Sequence, residues 1–279
     1  MITVDCTIHL VCLQGDTSKD ELLKHLNDPS SGKPTYLIKA TTHGWVHRPH
    51  KPQHKEILLA HRWDVFLLTQ QSALPGTVED ILSAHVAIPV SVPQAQFQQL
   101  EKNVNTIPKP NVQTPPLPKE WPDKGGIPQF AICEPTNGPL KVGELNLDPS
   151  MSEFLSMSLP TAVKNAPVGL FNLFMYPNKD PSVHEHYMEG FRRDFGDAAG
   201  VAMKFMGPVK SEISYRSSGN EGDQTNSSTG WQDANSVQYD TAWHYAYMLS
   251  TKTYAELNKE KISGLDDTCI LLTSEMELA

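Results

Sequence analysis

Residues 169–209 read GLFNLFMYPNKDPSVHEHYMEGFRRDFGDAAGVAMKFMGPV, and the pattern changes twice along them. GLFNLFMY (169–176) is a short apolar run that stops at the turn residues PNKDP, which predicts a strand. SVHEHYMEGFRRDF (182–195) switches to helical text, with Ser182 or Asp180 placed to cap it and Gly196 and Gly200 bracketing its end. VAMKFMGPV (201–209) returns to strand text. Further on, SYRSSGNEGDQTNSSTGWQDANS (214–236) has no periodicity and reads as a loop. VQYDTAWHYAYML (237–249) reads as a third strand, STKTYAELNKEKIS (250–263) as a second helix and DTCILLTSEM (267–276) as a fourth strand.

The order βαββαβ is that of a ferredoxin-like unit, and the first hundred residues repeat it. CTIHLVCL (6–13), PTYLIKATTHGWV (34–46), RWDVFLLTQ (62–70) and HVAIPVSVP (85–93) read as strands, with SKDELLKHLND (18–28) and TVEDILSA (77–84) as helices. The two copies align in places. His9 falls on Asn172, Lys39 on Lys204 and Asp64 on Asp240, which points to an internal duplication. Between them NTIPKPNVQTPPLPKEWPDKGGIP (105–128) carries seven prolines, a density that forbids helix. The domains expected are therefore an N-terminal half over 1–104, a proline-rich linker and irregular strap over 105–166, and a C-terminal half over 167–279. The expected fold class is α+β: two ferredoxin-like units in one chain, their bare sheet faces packed as an intramolecular α/β barrel.

The C-terminal text resembles the dimeric α/β-barrel superfamily, here in fused tandem form. YDTAWHYAYMLSTKTYAELNKEKISGLDDTCILL is similar to the closing half of a group of small barrel domains of unknown function. The shared features are Tyr239-Asp240 opening the third strand, a helix from Ser250 to Tyr254, and the turn Gly264-Leu265-Asp266-Asp267. FGDAAGVAMKFMGPV is similar to the same group's helix-to-strand passage. The likeness covers about 110 residues well, residues 1–104 weakly and 129–166 not at all. It implies a fold that hosts monooxygenases, polyketide cyclases, decarboxylases and haem enzymes, so function has to come from the site.

Composition narrows the classes. The 279 residues are 39% hydrophobic and 20% charged, with a net charge of −9 and no basic stripe, which argues against nucleic acid and anionic membranes as partners. No run reaches the length of a membrane span, and MITVDCTIHLVCL lacks the marks of a signal peptide, so a cytoplasmic protein is expected. Cys6, Cys12, Cys133 and Cys269 show no paired spacing and read as buried, reduced thiols. The GxGxxG, P-loop and GxSxG signatures are absent from the sequence, so no cofactor is expected, and no metal.

Strand alternation then nominates residues. In 169–176 the wholly apolar set Phe171, Leu173 and Met175 suits a helix-covered face. That turns Leu170, Asn172, Phe174 and Tyr176 into the barrel, together with Thr7, His9, Val11 and Leu13. His9 is the first candidate general acid or base, or else a bonded core imidazole. Lys39 and Lys204 could hold a carboxylate or polarise a carbonyl, or could be edge lysines. Asp64 and Asp240 read as structural. Trp243 and Tyr245, with Trp45, are candidate aromatic walls. His184 and His186 cannot share a metal, because two residues on a helix are about 200° apart; with Tyr187 they read as a solvated helix start or a cavity mouth.

HRPHKPQHKEILLAH (47–61) reads as a hairpin loop whose prolines preclude a helix, with His47, His50 and His54 solvated. His43 and His61, at strand ends, are expected to meet His9 and join the catalytic set His9, His43, His61 and Lys39. Asn172, Phe174, Tyr176, Lys204, Trp243, Tyr245 and Trp45 form the substrate-binding set. The function expected is a cofactor-independent acid/base enzyme: a cyclase, isomerase, decarboxylase or dehydratase. Its partner would be a small hydrophobic, aromatic or polyketide-like metabolite, and a homodimer is open. The alternatives are a cofactor-free monooxygenase and a non-catalytic binding protein.

Overall fold

The computed structural model describes residues 2–27, 36–104, 114–122, 126–135, 138–196, 201–210, 213–217, 225–227 and 230–276. The chain runs β1 (Thr3–Leu13), α1 (Lys19–Asn27), β2 (Tyr36–His47), α2 (Pro52–Leu58), β3 (Val65–Thr69), α3 (Gly76–Glu79), β4 (Leu82–Pro93) and α4 (Gln94–Lys102). After the strap, which carries α5 (Pro149–Glu153) and α6 (Thr161–Lys164), come β5 (Val168–Met175), α7 (Ser182–Phe195) and β6 (Val201–Pro208). Then follow β7 (Ile213–Ser217), β8 (Thr225–Ser227), β9 (Asp233–Tyr239), α8 (Ala242–Ser250), α9 (Lys252–Ser263) and β10 (Asp267–Glu275). Half of 105–128, Gly200 and part of 214–236 lie outside the described residues.

The fold is mixed α+β with one antiparallel ten-stranded sheet, ordered β6-β9-β5-β10-β2-β3-β1-β4-β7-β8. The halves join where β10 pairs with β2, from Ile270 opposite His47 to Glu275 opposite Ala40. Between β6 and β4 no ladder forms. These strands meet through one isolated bridge, Val90 opposite Val209, and through the Lys210 N–H, which donates to Pro89 O at 2.9 Å. The approach is close: a Cβ on Gly207 would stand 1.8 Å from the Ser91 carbonyl oxygen. No helix among the described residues is long and apolar enough to cross a membrane.

Three main cores follow from the faces of this sheet. Cys6, Ile8, Leu10, Phe66, Leu68, Phe171, Leu173, Phe205, Cys269 and Leu271 form a core shared by both halves, in which the Phe66 and Phe171 rings stand 5.0 Å apart. Leu22, Leu23 and Leu26 of α1 cover Val11, Val65 and Leu67 on the outer face of the first half. Helices α7, α8 and α9 cover Val168, Leu170, Val237, Ile270 and Leu272 on the outer face of the second. The expected faces are therefore inverted. Phe171 and Leu173 point into the shared core, while Leu170, Asn172, Phe174 and Tyr176 point towards helices. His9 and Lys39 both pair with Leu67 and share its helix-side face. The reason is chemical: the shared core offers no polar partners and takes the wholly apolar set, whereas Asn172 and Tyr176 find theirs on the other face, in Asn235 and Asp233 of β9 and His184 of α7.

Other local differences have equally plain causes. Residues 242–250 are helix, not strand, because the Thr241 side chain accepts from the His244 N–H and caps it. Tyr239-Asp240 therefore closes β9, while Asp64 precedes β3 and its carboxylate accepts from the Leu13 N–H, so these two aspartates do not correspond. His9 and Asn172, and likewise Lys39 and Lys204, do lie on matching strands β1/β5 and β2/β6. Pro52 does not preclude α2; it occupies its first turn, where no N–H is needed. Within 77–84 the helix is short and β4 begins at Leu82. The 214–236 stretch supplies β7, β8 and the start of β9. All four thiols are free, but Cys133 is exposed, not buried.

Candidate functional site

Helix α9 carries Tyr254, Leu257, Asn258 and Lys261 on its buried face. These lie at i, i+3, i+4 and i+7, the spacing of an apolar stripe. Helix α7 does the same with His184, Tyr187, Met188, Phe191 and Phe195. Together with Tyr245 and Met248 of α8, both helices close over Leu170, Asn172, Phe174, Asn235, Val237, Tyr239 and Ile270 of the sheet. They leave a chamber of about 40 Å³. That is room for about three waters.

Its walls are apolar and aromatic, with the polar groups concentrated at a few points. Asn172 donates to Asn235 Oδ1 at 2.7 Å and to Leu170 O at 3.0 Å. Tyr187 and Tyr254 hydrogen-bond each other, and the Tyr239 hydroxyl donates to Met248 Sδ at 3.3 Å. Tyr245 Oη is buried without a hydrogen-bond partner, as is Asn258 Oδ1. Burial holds all four tyrosines above their ordinary range.

Lys261 lines this chamber at 2% exposure and makes no hydrogen bond or ion pair with any described residue. Burial alone pulls its ammonium down to about 7. Its stem runs beside Gly143, where a Cβ would come within 3.6 Å of Lys261 Cε and where φ is +74°. The Gly143 N–H donates to His47 Nε2 at 3.1 Å.

Beside the chamber stands a second polar chain. Tyr176 donates its hydroxyl to Asp233 Oδ2 at 2.6 Å, so its oxygen accepts from His184 Nδ1 at 3.0 Å. That fixes the tautomer: the His184 proton is on Nδ1, and Nε2 is a bare acceptor, buried and without a partner. The His184 ring lies 4.3 Å from Phe174 and 5.6 Å from Tyr187, both chamber walls. Burial first, then the charge of Lys261, lowers both His47 and His184 to about 3, so both are neutral at pH 7.

The expected catalytic histidines do not gather. His9 Nε2–H donates to Thr69 Oγ1 at 3.0 Å, because the Thr69 hydroxyl itself donates to Gln71 O. His9 Nδ1 therefore accepts from His85 at 2.9 Å, and both its nitrogens are engaged. Burial, then His85, keeps it neutral. His43 pairs with Ser274 at 2.7 Å and His61 with Tyr215 at 2.8 Å, and neither contacts His9. Lys39 lies over the Tyr36 ring, and Lys204 pairs with Glu275 at 3.2 Å.

Of the substrate-binding set, Asn172, Phe174 and Tyr245 do line a cavity, but on the helix side of the sheet. Tyr176 stands one step behind it. Trp45 packs on the shared core, and Trp243 donates to Asn165 at 2.8 Å. His47 and His54 are buried rather than solvated, and His50 is half-buried. His54 stacks on Trp231 at 4.0 Å and its Nδ1 donates to Asp267 at 2.5 Å. No cluster of three or more metal-ligating side chains occurs among the described residues.

A larger cavity of about 320 Å³ lies between Pro115–Leu117, the end of α7 and the α8–α9 junction. It adjoins segments outside the described residues.

No family model and no curated protein matches the sequence. Among solved structures, a proposed monooxygenase from Lactobacillus acidophilus NCFM is similar over 98% of this chain and 94% of its own, with 9% identity and a TM-score of 0.42. A likeness that distant has no bearing on the chemistry.

Proposed function

We propose that the chain is a fused tandem of two ferredoxin-like units and a cofactor-independent acid/base enzyme acting on a small carbonyl compound. The spatial order second-third-first-fourth strand occurs twice, as β2-β3-β1-β4 over the first half and β6-β9-β5-β10 over the second, which supports the duplication. The domain limits that go with it are 1–104 and 167–279.

The chemistry sits in the helix-side chamber of the second half. One observation carries this: Lys261 is 2% exposed, lines the chamber and has no counter-charge among the described residues. A group that exchanges its proton near neutral pH is suited to general acid/base work. Lys261 moves the proton. Tyr245, whose hydroxyl is unpartnered, donates to the carbonyl oxygen, and the bare His184 Nε2 supplies a nearby acceptor. Enolisation followed by isomerisation, cyclisation, decarboxylation or dehydration are the reactions this set can support.

The test is proton exchange. Small ketones and aldehydes are incubated with the protein in D2O, and deuterium uptake beside the carbonyl is followed by NMR. The protein should accelerate uptake, and Lys261→Met should lower the rate at least about 100-fold. Uptake no faster than in buffer, or unchanged in the variant, would sink the reading.

A further inference from the structure

We infer that Lys261 is a covalent centre, forming an imine with an uncharged short-chain aldehyde or ketone bound in the chamber. This rests on the reading above that the chamber takes a carbonyl compound, and goes beyond it in naming a bond and a substrate class.

Three features place a nucleophilic amine here. The Lys261 side chain is 2% exposed and lines the wall of the cavity. No carboxylate or hydrogen-bond acceptor among the described residues holds it as an ammonium. Among the described residues, the titratable groups around it carry no charge: His47 and His184, which feel its charge, are neutral, and Tyr187, Tyr239, Tyr245 and Tyr254 keep their protons. Desolvation of this kind is how proteins make a lysine nucleophilic at neutral pH.

The step balances without a co-reactant. The Nζ lone pair adds to the carbonyl carbon while the C=O π pair moves to oxygen, which takes up a proton. That first proton comes from the nitrogen, giving the neutral carbinolamine. Its hydroxyl then takes up a second proton and leaves as water while the nitrogen lone pair forms the C=N bond, and the nitrogen's remaining proton is released to replace the second one. Tyr245 Oη is the hydroxyl free to hydrogen-bond the departing oxygen.

The chamber also selects the substrate. Space for about three waters limits the part next to Lys261 to a short chain. A carboxylate would be buried with Lys261 as its only cation. It would hold the lysine as an ammonium and so stop it attacking. The carbonyl compound is therefore uncharged.

Borohydride trapping tests this with the intact chain. Acetone and pyruvate, close in size but neutral and anionic, are each incubated with the protein at pH 7 and reduced, and the modified lysines are mapped by peptide mass spectrometry. Acetone should label Lys261 at least about tenfold faster than Lys252 and Lys259, the exposed lysines of the same helix. Pyruvate should not. Labelling of Lys261 no faster than of its exposed neighbours overturns the imine, and preferential labelling by pyruvate overturns the substrate class. Deuterium exchange that persists without any trapped adduct would remove the covalent step and leave the proton-transfer reading standing; loss of both removes the two together.

Discussion

Replacing Lys261 by methionine should make the protein more stable below neutral pH, and the size of the gain can be worked out. The folded chain gives up the Lys261 proton near pH 7, against 10.5 for an unperturbed lysine. Each pH unit of that gap is worth about 1.4 kcal/mol, so holding the ammonium in the chamber costs about 5 kcal/mol at pH 6. Between the two values the unfolded chain binds the proton and the folded chain does not, so stability rises with pH through this window. About half of the penalty is gone by pH 9. Methionine matches the stem in length and carries no proton, so the difference between variant and wild type isolates this one group. The neighbours do not interfere: His47 and His184 titrate near pH 3 and the chamber tyrosines far above 9. Urea unfolding of both proteins at pH 6 and pH 9 measures the effect. A wild-type deficit relative to Lys261→Met that is the same at both pH values would refute the claim that the lysine is buried without a counter-charge. Such a penalty is a large part of the 5–15 kcal/mol that typically holds a domain together, which is why its retention points to a use.

Two further substitutions probe the frame. Gly207→Ala would drive a Cβ into the Ser91 carbonyl where β6 meets β4, and should lower stability by about 2 kcal/mol or more in urea unfolding, whereas Gly76→Ala, with nothing within 4 Å, should be neutral or slightly stabilising. Equal stability of the two variants would mean that β6 and β4 are not in contact. Asp267→Asn should cost about 3–5 kcal/mol, because the buried carboxylate accepts from His54 and from the N–H groups of His50, Lys51 and Thr268. Burial pushes Asp267 up, but those hydrogen bonds outweigh it and leave it lowered, so its contribution is present above about pH 4 and is lost as pH falls further. An acid-unfolding curve that is the same in wild type and variant would contradict this.

The elements that could be read from sequence were those in which one pattern had no competitor. Residues 182–195 form a helix over the expected span, because His184, Tyr187, Met188, Phe191 and Phe195 fall on one side only at a helical period. Residues 242–250 carry two patterns at once. Trp243, Tyr245 and Tyr247 alternate as in a strand, while Ala242, Tyr245, Ala246 and Leu249 make a helical stripe. Local propensity favours the first; Thr241 as cap and the packing of α8 decide for the second. Alternation along 169–176 separated two faces correctly but could not say which met the core shared with the first half. That choice depends on which face finds polar partners, and these are Asn235 and Asp233 on β9 and His184 on α7.

The same limit explains the site. Histidines drew the eye to 47–61, but a residue type carries no information about burial, and the described histidines there are tied into loops and strands. Lys261 gave a better signal that was readable in principle. It sits on the α9 stripe seven residues after Tyr254, where the pattern calls for an apolar side chain. His184 opens the α7 stripe in the same way. An ionisable residue on a buried stripe is costly unless it is paired, and the described surroundings leave Lys261 unpaired. The departure from the helix period, rather than the richness of any one segment in reactive side chains, is therefore what marks the chamber between α7, α8 and α9.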